Sequence, residues 1–258
     1  MPEDDGGQTA GTVQTSQTMF VIVEYIKEQD GATITEVANE LGYAKSTVHR
    51  HLSTLTEMGY AVKEGNEFHV GLRFVDLGQH ARTRRNGYEL AREKVDQIAA
   101  ATGERAQFIV EEHGEGVYLH RSFGEHAIRT DPGIGSRIPL HATAAGKAIL
   151  ANLEESRRFE IIEQTDFDSL TEHTITDTKS LFEELETIRE RGYAFNRQEN
   201  LNGLYAVGVA VKSPTEGVIG AFSVSGPIHR LKGERIQSEL PDRLLGTANE
   251  LELNITHS

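Results

Sequence analysis

The sequence predicts an α+β chain: a small helical N-terminal domain closed by a β-hairpin, a linker helix, and a larger C-terminal α/β domain. Three observations carry this. The 258 residues, 37% of them hydrophobic, suffice for two domains with packed cores. Up to about Ala101, apolar residues keep a helical period, interrupted once by a short stretch of alternation. From about Thr102 onward, strand-like alternation and helical stripes take turns, which suits a mixed sheet flanked by helices. The boundaries that follow are a tail over 1–14, an N-terminal domain over 15–77, a linker helix over 78–101 and a C-terminal domain over 102–258.

The tail is acidic and rich in Gly and Thr, with no apolar stretch, so it reads as disordered rather than as a signal peptide. Between Ser16 and Lys27, Phe20, Val23 and Ile26 recur at helical spacing until Asp30-Gly31 breaks the pattern. Thr33 and Glu36 match a capping box, in which hydroxyl and carboxylate each satisfy the other residue's backbone N–H. Ile34, Val37, Ala38 and Leu41 form the stripe behind it, and Gly42 supplies the left-handed end. A further helix from Ala44 buries Val48, Leu52 and Leu55 and stops at Gly59. Two short helices joined by a glycine-containing turn make a helix-turn-helix, and alternation from Tyr60 to Val70 around Gly65-Asn66 adds a hairpin wing.

Face geometry then picks out residues. With Val48, Leu52 and Leu55 turned inward at about 100° per residue, Ser46, Arg50 and Ser53 project outward, flanked by Thr47, His49 and Thr54. Lys45 joins them at the N-terminal half, the part of a recognition helix that reaches bases and phosphates and whose backbone N–H groups favour an anion. The candidate contacts to double-stranded DNA are therefore Lys45, Ser46, Thr47, His49, Arg50 and Ser53, with Lys63 on the wing. For any one of them an ordinary polar helix face is the competing reading.

In the linker, Ala81, Tyr88, Ala91, Val95 and Ile98 keep a helical period, and Arg82, Arg84 and Arg85 form a dense basic cluster. That cluster reads equally as a solvated face or as a connector near phosphates or a dimer seam. Beyond it, Ala106–Val110 and Val117–Leu119 flank a turn at Glu115-Gly116, Ala142–Leu153 is a helix, and Leu181, Leu185 and Ile188 mark another ending at Gly192. Val207, Val209 and Val211 alternate as a strand, followed by a turn at Pro214–Gly217 and a strand over Val218–Ser225. Ser223 and Ser225, two apart, face the same way and can hydrogen-bond a carboxylate or hydroxyl. The small residues of Ala142 to Gly146 let a ligand approach helix-start N–H groups.

These segments resemble a known family. Ile34-Thr-Glu-Val-Ala-Asn-Glu-Leu-Gly42, Lys45-Ser-Thr-Val-His-Arg50, Leu52 to Gly59-Tyr60 and Gly71-Leu72 to Leu77-Gly78 resemble the DNA-binding domain of IclR-type regulators. Pro139-Leu-His-Ala-Thr-Ala-Ala-Gly-Lys-Ala-Ile-Leu-Ala151, Arg191-Gly-Tyr-Ala194, Asn202-Gly-Leu204 and Phe222-Ser-Val-Ser-Gly-Pro227 resemble their effector domain. The resemblance implies a GAF-like effector fold, with ligand contacts at Asn196, Ala206, Ser223 and Ser225 and with Ala144, Ala145 and Gly146 lining the pocket. It further implies a cytoplasmic transcription regulator of carbon-catabolic genes, acting as a homodimer or homotetramer on a near-palindromic operator. The effector would be a small organic or sugar acid.

Composition narrows the alternatives. With no cysteine, disulfides, thiolate metal sites and cysteine nucleophiles are excluded, and no apolar run reaches the length of a bilayer span. The net charge of −14 is unusual for a DNA binder, but acids spread along the whole chain suit halophilic adaptation. His141-Ala-Thr-Ala-Ala-Gly146-Lys147 lacks the first glycine and the hydroxyl of a phosphate loop, and Asp131-Pro-Gly133-Ile-Gly135 lacks the third glycine of a dinucleotide site. No nucleophile elbow or zinc helix occurs, and His49 and His51, two apart on a helix, point apart. No catalytic residues, metal or cofactor are expected. The rival readings are a winged-helix interaction module without DNA binding and a GAF-like small-molecule enzyme.

Overall fold

In the structure, a computed structural model that describes residues 11–128 and 133–257, helix formation begins at Gln14. The Val13 carbonyl accepts from Ser16 and Gln17 N–H (2.9 and 3.2 Å) and opens α1 (Gln14–Glu28). Residues 11–13 precede that helix, and 1–10 of the predicted tail lie outside the described residues. The buried face of α1 is Ile22, Val23 and Ile26, while Phe20, expected inside, stands 55% exposed.

Next come β1 (Ala32–Thr33), α2 (Ile34–Leu41) and α3 (Lys45–Glu57), then the hairpin β2 (Ala61–Glu64) and β3 (Glu67–Val70). The capping box forms: Glu36 N–H donates to Thr33 Oγ1 at 3.3 Å and Thr33 N–H to Glu36 Oε2 at 2.8 Å. Gly42 ends α2 at φ 70°. In the hairpin Glu64 faces Glu67, so Gly65-Asn66 is a two-residue turn, with Gly65 at φ 63°. The sheet runs β1-β3-β2; two-residue β1 is too short to show a period in the sequence. Val37, Val48, Leu52 and Leu55 join the α1 stripe and Phe68 in one core.

The chain divides into two compact units between Ala81 and Arg82. The predicted single linker helix is two helices, α4 (Arg73–Thr83) and α5 (Asn86–Thr102). Arg85 adopts extended backbone between them (φ −120°, ψ 135°). Asn86-Gly87 is a weak helix interior, and Gly87 is held tight: a side chain there would meet Ile219 and Ile255 at 2.7 and 3.1 Å. Each of the three arginines has a partner, while Arg84 also stays exposed. Arg82 Nε donates to the Leu119 carbonyl (3.1 Å), Arg84 pairs with Glu112 (3.3 Å), and Arg85 pairs with Glu216 (3.3 Å).

The second unit carries β4 (Arg105–Glu112), β5 (Glu115–Phe123), β6 (Arg137–Pro139), α6 (Ala144–Asn152), α7 (Glu155–Glu163) and α8 (Thr178–Arg191). These are followed by β7 (Ala194–Arg197), β8 (Leu204–Ser213), β9 (Gly217–Pro227), a π-helical turn (Arg235–Glu239) and α9 (Leu240–Thr256). The sheet order is β6-β5-β4-β9-β8-β7, and every pairing is antiparallel, not mixed. A tight hairpin makes the β4–β5 pair: β4 turns into β5 at His113-Gly114, both left-handed (φ 55° and 82°), not at Glu115-Gly116. Strand alternation then builds two cores. Phe108, Val209 and Phe222 pack under α5 and α9, while Ile109, Ala210 and Ala221 pack under α6 and α8.

Candidate functional sites

On α3, Val48 and Leu52 are fully buried and Leu55 nearly so. That orientation leaves Lys45, Ser46, His49, Arg50 and Ser53 exposed and Thr47 half-buried, so the predicted polar face is presented outward. His49 Nδ1 stands 3.5 Å from Ser53 Oγ, one turn on. Thr47 and Arg50 also border a cleft of about 490 Å³ whose opposite wall is the polar start of α1, including Thr15, Ser16 and Thr18. Sequence reasoning placed those residues in the N-terminal domain, at the start of its first helix, but did not count them beside α3, because helical spacing marks only the buried side of that helix. Lys63 is exposed on β2, its ammonium 5.5 Å from the centre of the Phe68 ring. Arg73, also missed, donates to the Met58 carbonyl at 2.6 Å and stacks on Tyr60, tying off the C-terminal end of α3.

In the second unit the sheet register assembles a site that no local stretch contains. Asn196, Ala206, Ser225 and Arg105 stand side by side on β7, β8, β9 and β4. The next row is Gly208, Ser223 and Gln107. The start of α6 sits directly above: a side chain at Gly208 would lie 2.5 Å from the Ala144 carbonyl. Between sheet and helix is a small cavity of about 20 Å³ lined by Ala144, Ala145, Asn196, Ala206, Ser223 and Ser225, the predicted residues, together with Arg105, Gln107, Tyr118, Thr143 and Asn200.

Gly146 does not line this cavity. Its amide donates to the capping Thr143 hydroxyl at 3.1 Å, and a side chain there would lie 2.2 Å from the Leu140 carbonyl oxygen, so it serves close packing. Asn196 is locked from behind: its Nδ2 donates to Ala142 O (3.1 Å) and Asn200 Oδ1 (2.7 Å), and its Oδ1 accepts from Glu199 N–H (2.9 Å). Glu199 in turn pairs with Lys147, a side chain 1% exposed.

The wall that sequence reasoning missed is charged. Arg105 is buried, with Nε donating to Ser225 Oγ at 2.8 Å. Burial pulls its pKa below the ordinary guanidinium value, nearby Tyr118 opposes that, and Arg121 adds to it. Burial likewise raises the Tyr118 phenol. A cation, two serine hydroxyls and a helix start therefore converge on one small volume, an arrangement suited to an anionic ligand. His141 faces elsewhere, on a separate cleft of about 410 Å³, where its ring packs on Phe167 at 5.3 Å. Burial lowers its pKa. Among the described residues no cluster of three or more His, Cys, Asp or Glu side chains can hold a metal ion, and no helix is long and apolar enough to cross a membrane.

Comparison with known proteins completes the picture. Residues 19–65 match the profile of the IclR helix-turn-helix domain, and residues 79–253 match that of the bacterial transcriptional regulator IclR C-terminal domain. The chain belongs to the IclR family. It is a DNA-binding transcription regulator with an effector-binding domain. Among its IclR-family relatives is the probable HTH-type transcriptional regulator ArcR of Halobacterium salinarum, 34% identical over 91% of this chain and 90% of that protein. The HTH-type transcriptional regulator KdgR of Escherichia coli is 29% identical over 92% and 91%. In structure, the Thermotoga maritima IclR crystal structure matches with a TM-score of 0.79 at 28% identity, covering 94% of this chain and 98% of that one. An IclR homologue from Microbacterium hydrocarbonoxydans, complexed with 4-hydroxybenzoate, shares the fold with a TM-score of 0.80 at 20% identity, over 94% and 99%.

Proposed function

We propose that α3 reads a near-palindromic operator in double-stranded DNA through Lys45, Ser46, Thr47, His49, Arg50 and Ser53, with Lys63 of the wing on the sugar-phosphate backbone. The observation that carries this reading is the division of α3 itself: its aliphatic stripe is buried while the cationic, hydroxyl-rich side of its N-terminal half is exposed. The regulated genes belong to carbon catabolism, in keeping with the kinship to KdgR. The effector is a small organic or sugar acid held by Ala144, Ala145, Asn196, Ala206, Ser223 and Ser225. A buried guanidinium on the same wall supports an acid as ligand.

The working form is a homodimer or a dimer of dimers. Helix α4 has no buried residue, yet it carries exposed Val75 and Leu77 and follows Leu72, which is 83% exposed. Such an apolar patch calls for a partner, and a second copy would match the two-fold symmetry of the operator. The acid excess and the Halobacterium relative support a halophilic origin, and the site of action is the cytoplasm, where the DNA is. The test is fluorescence anisotropy with the DNA upstream of the protein's own gene, at several fixed salt concentrations. Specific retention over scrambled DNA is expected; equal affinity for both at every salt concentration removes the proposal.

A further inference from the structure

The exposed face of α3 does not stand alone. Along one flank runs the cleft of about 490 Å³, with Thr47, Arg50 and Thr54 on its α3 wall and Thr15, Ser16 and Thr18 on its α1 wall. On α3 the three fall at i, i+3 and i+7, a single stripe. On α1, Thr15 and Thr18 share a side, while Gln17, about 200° round from Thr15, lies outside the cleft.

The two walls share a charge pattern as well. From Val13 to Val23 and from Lys45 to Thr56 the chain has no Asp or Glu, although it carries 40 acids against 26 lysines and arginines. The acids resume at Glu24 and Glu57, toward the C-terminal ends of the two helices. No carboxylate is among the side chains that line the cleft. A trough of hydroxyls with one guanidinium, free of acids in so acidic a chain, is complementary to a polyanion.

Dimensions say which part of the polyanion it would meet. An α-helix with its side chains is about 10–12 Å across, and the major groove is about 12 Å wide. A helix laid in that groove fills it, so an element flanking the helix faces the phosphates of the groove's edge. The geometry points to a second DNA contact at the start of α1. The cleft receives the sugar-phosphate backbone of one strand, with Thr15, Ser16 and Thr18 donating to phosphate oxygens from one wall and Thr47 and Arg50 from the other. This rests on the reading of α3 as the recognition helix. Phosphate contacts fix register and orientation but carry no base information, so α1 positions α3 without selecting sequence.

Fluorescence anisotropy of the full chain tests this, with DNA from upstream of its own gene and scrambled DNA at several salt concentrations. Thr15→Lys sets one more cation against the backbone. It should tighten binding to both DNAs, leave their affinity ratio unchanged and steepen the slope of log K against log salt by about 0.9. Gln17→Lys adds the same charge to the same turn, outside the cleft, and should leave the slope near that of the parent. Thr15→Glu should weaken both DNAs about tenfold at low salt, a loss that shrinks as salt rises. Both positions are exposed, so the core is untouched; thermal melts check this, and Ser16→Lys replaces Thr15→Lys if that variant is unfolded. Equal slope changes in the two lysine variants overturn the proposal, since the charge would then act from a distance. So does an unchanged slope in Thr15→Lys, or a shifted ratio between the two DNAs, which would make α1 a reader of bases. Any of these beside specific binding by the parent leaves the regulator reading standing. A parent that binds neither DNA removes both.

Discussion

Arg82 Nη2 lies 2.9 Å from Nδ1 of His120, and the other ring nitrogen, Nε2, lies 2.6 Å from the Tyr88 carbonyl. A guanidinium only donates, so Nδ1 accepts and Nε2–H donates to Tyr88, which demands a neutral ring. One histidine on β5 thereby clasps the end of α4 and the start of α5. Burial, reinforced by Arg82 and Arg92 against the pull of Tyr88 and Asp96, depresses the His120 pKa to about 4. The unfolded chain therefore takes up a proton at a pH where the folded one does not. Stability from this clasp is complete above about 6.5 and is lost as pH falls from there toward 4. His141, also depressed by burial, acts in the same direction. His120→Asn should shrink the drop in melting temperature between pH 7.5 and 5, leaving the share due to His141. An unchanged drop in the variant would show that the ring titrates freely.

Arg50 stands on the exposed side of α3, so Arg50→Ala should leave the fold intact and, on the proposed reading, weaken recognition. If it reaches a base edge, the substitution costs about 1–3 kcal/mol and relaxes preference at one operator position. Lys63→Ala, on the wing, should instead weaken all sequences evenly and lower the slope of log K against log salt by about one. Titrations of both variants at three salt concentrations separate the two roles. Equal affinity of Arg50→Ala and the parent for the operator would remove α3 from the interface.

Much of this arrangement is legible from local pattern. Val48, Leu52 and Leu55 orient α3 without any tertiary knowledge, and the period of two puts Ser223 and Ser225 on one face. Arg105 and Gln107 are a different case. They reach the serines only because β4 inserts between β5 and β9, a pairing across 118 residues that no local period encodes. At the start of a strand, next to Glu104, an arginine reads as surface. The break between α4 and α5 escaped for a related reason. Apolar spacing runs on through it, and the break lies in the extended backbone of Arg85, beside an Arg82 held by β5 residues 37 and 38 positions away.

Gly208 tests how close α6 must sit to the sheet. An added methyl group would lie 2.5 Å from both the Ala144 carbonyl carbon and oxygen, which are backbone and cannot step aside. Gly208→Ala should therefore push the helix start outward, costing about 1–3 kcal/mol in denaturant melts. Because Ala144 and Ala145 line the cavity proposed for the effector, acid binding should fall more than stability does if that proposal holds. Normal acid affinity in this variant would mean that these alanines are not part of the site.

Lys147 and Glu199 join the floor of the cavity to the body of the domain. The lysine is 1% exposed and pairs with Glu199, with Glu184 at 3.9 Å as a second carboxylate. Two charges taken out of water repay their desolvation only while both are present. Lys147→Met strands the buried Glu199 carboxylate and should cost about 3–5 kcal/mol. Adding Glu199→Gln to that variant removes the stranded charge and keeps the acceptor that Arg197 N–H uses, so much of the loss should return. The effect is not confined to stability. Glu199 N–H holds the Asn196 side-chain oxygen at 2.9 Å, and Asn196 lies on the cavity floor beside Ala206. Lys147→Met should therefore weaken acid binding as well as lower the melting point, whereas the double variant, with Asn196 again in place, should recover both together. Recovery of stability without recovery of binding would break the link from the ion pair to Asn196 and leave the pair a structural element alone.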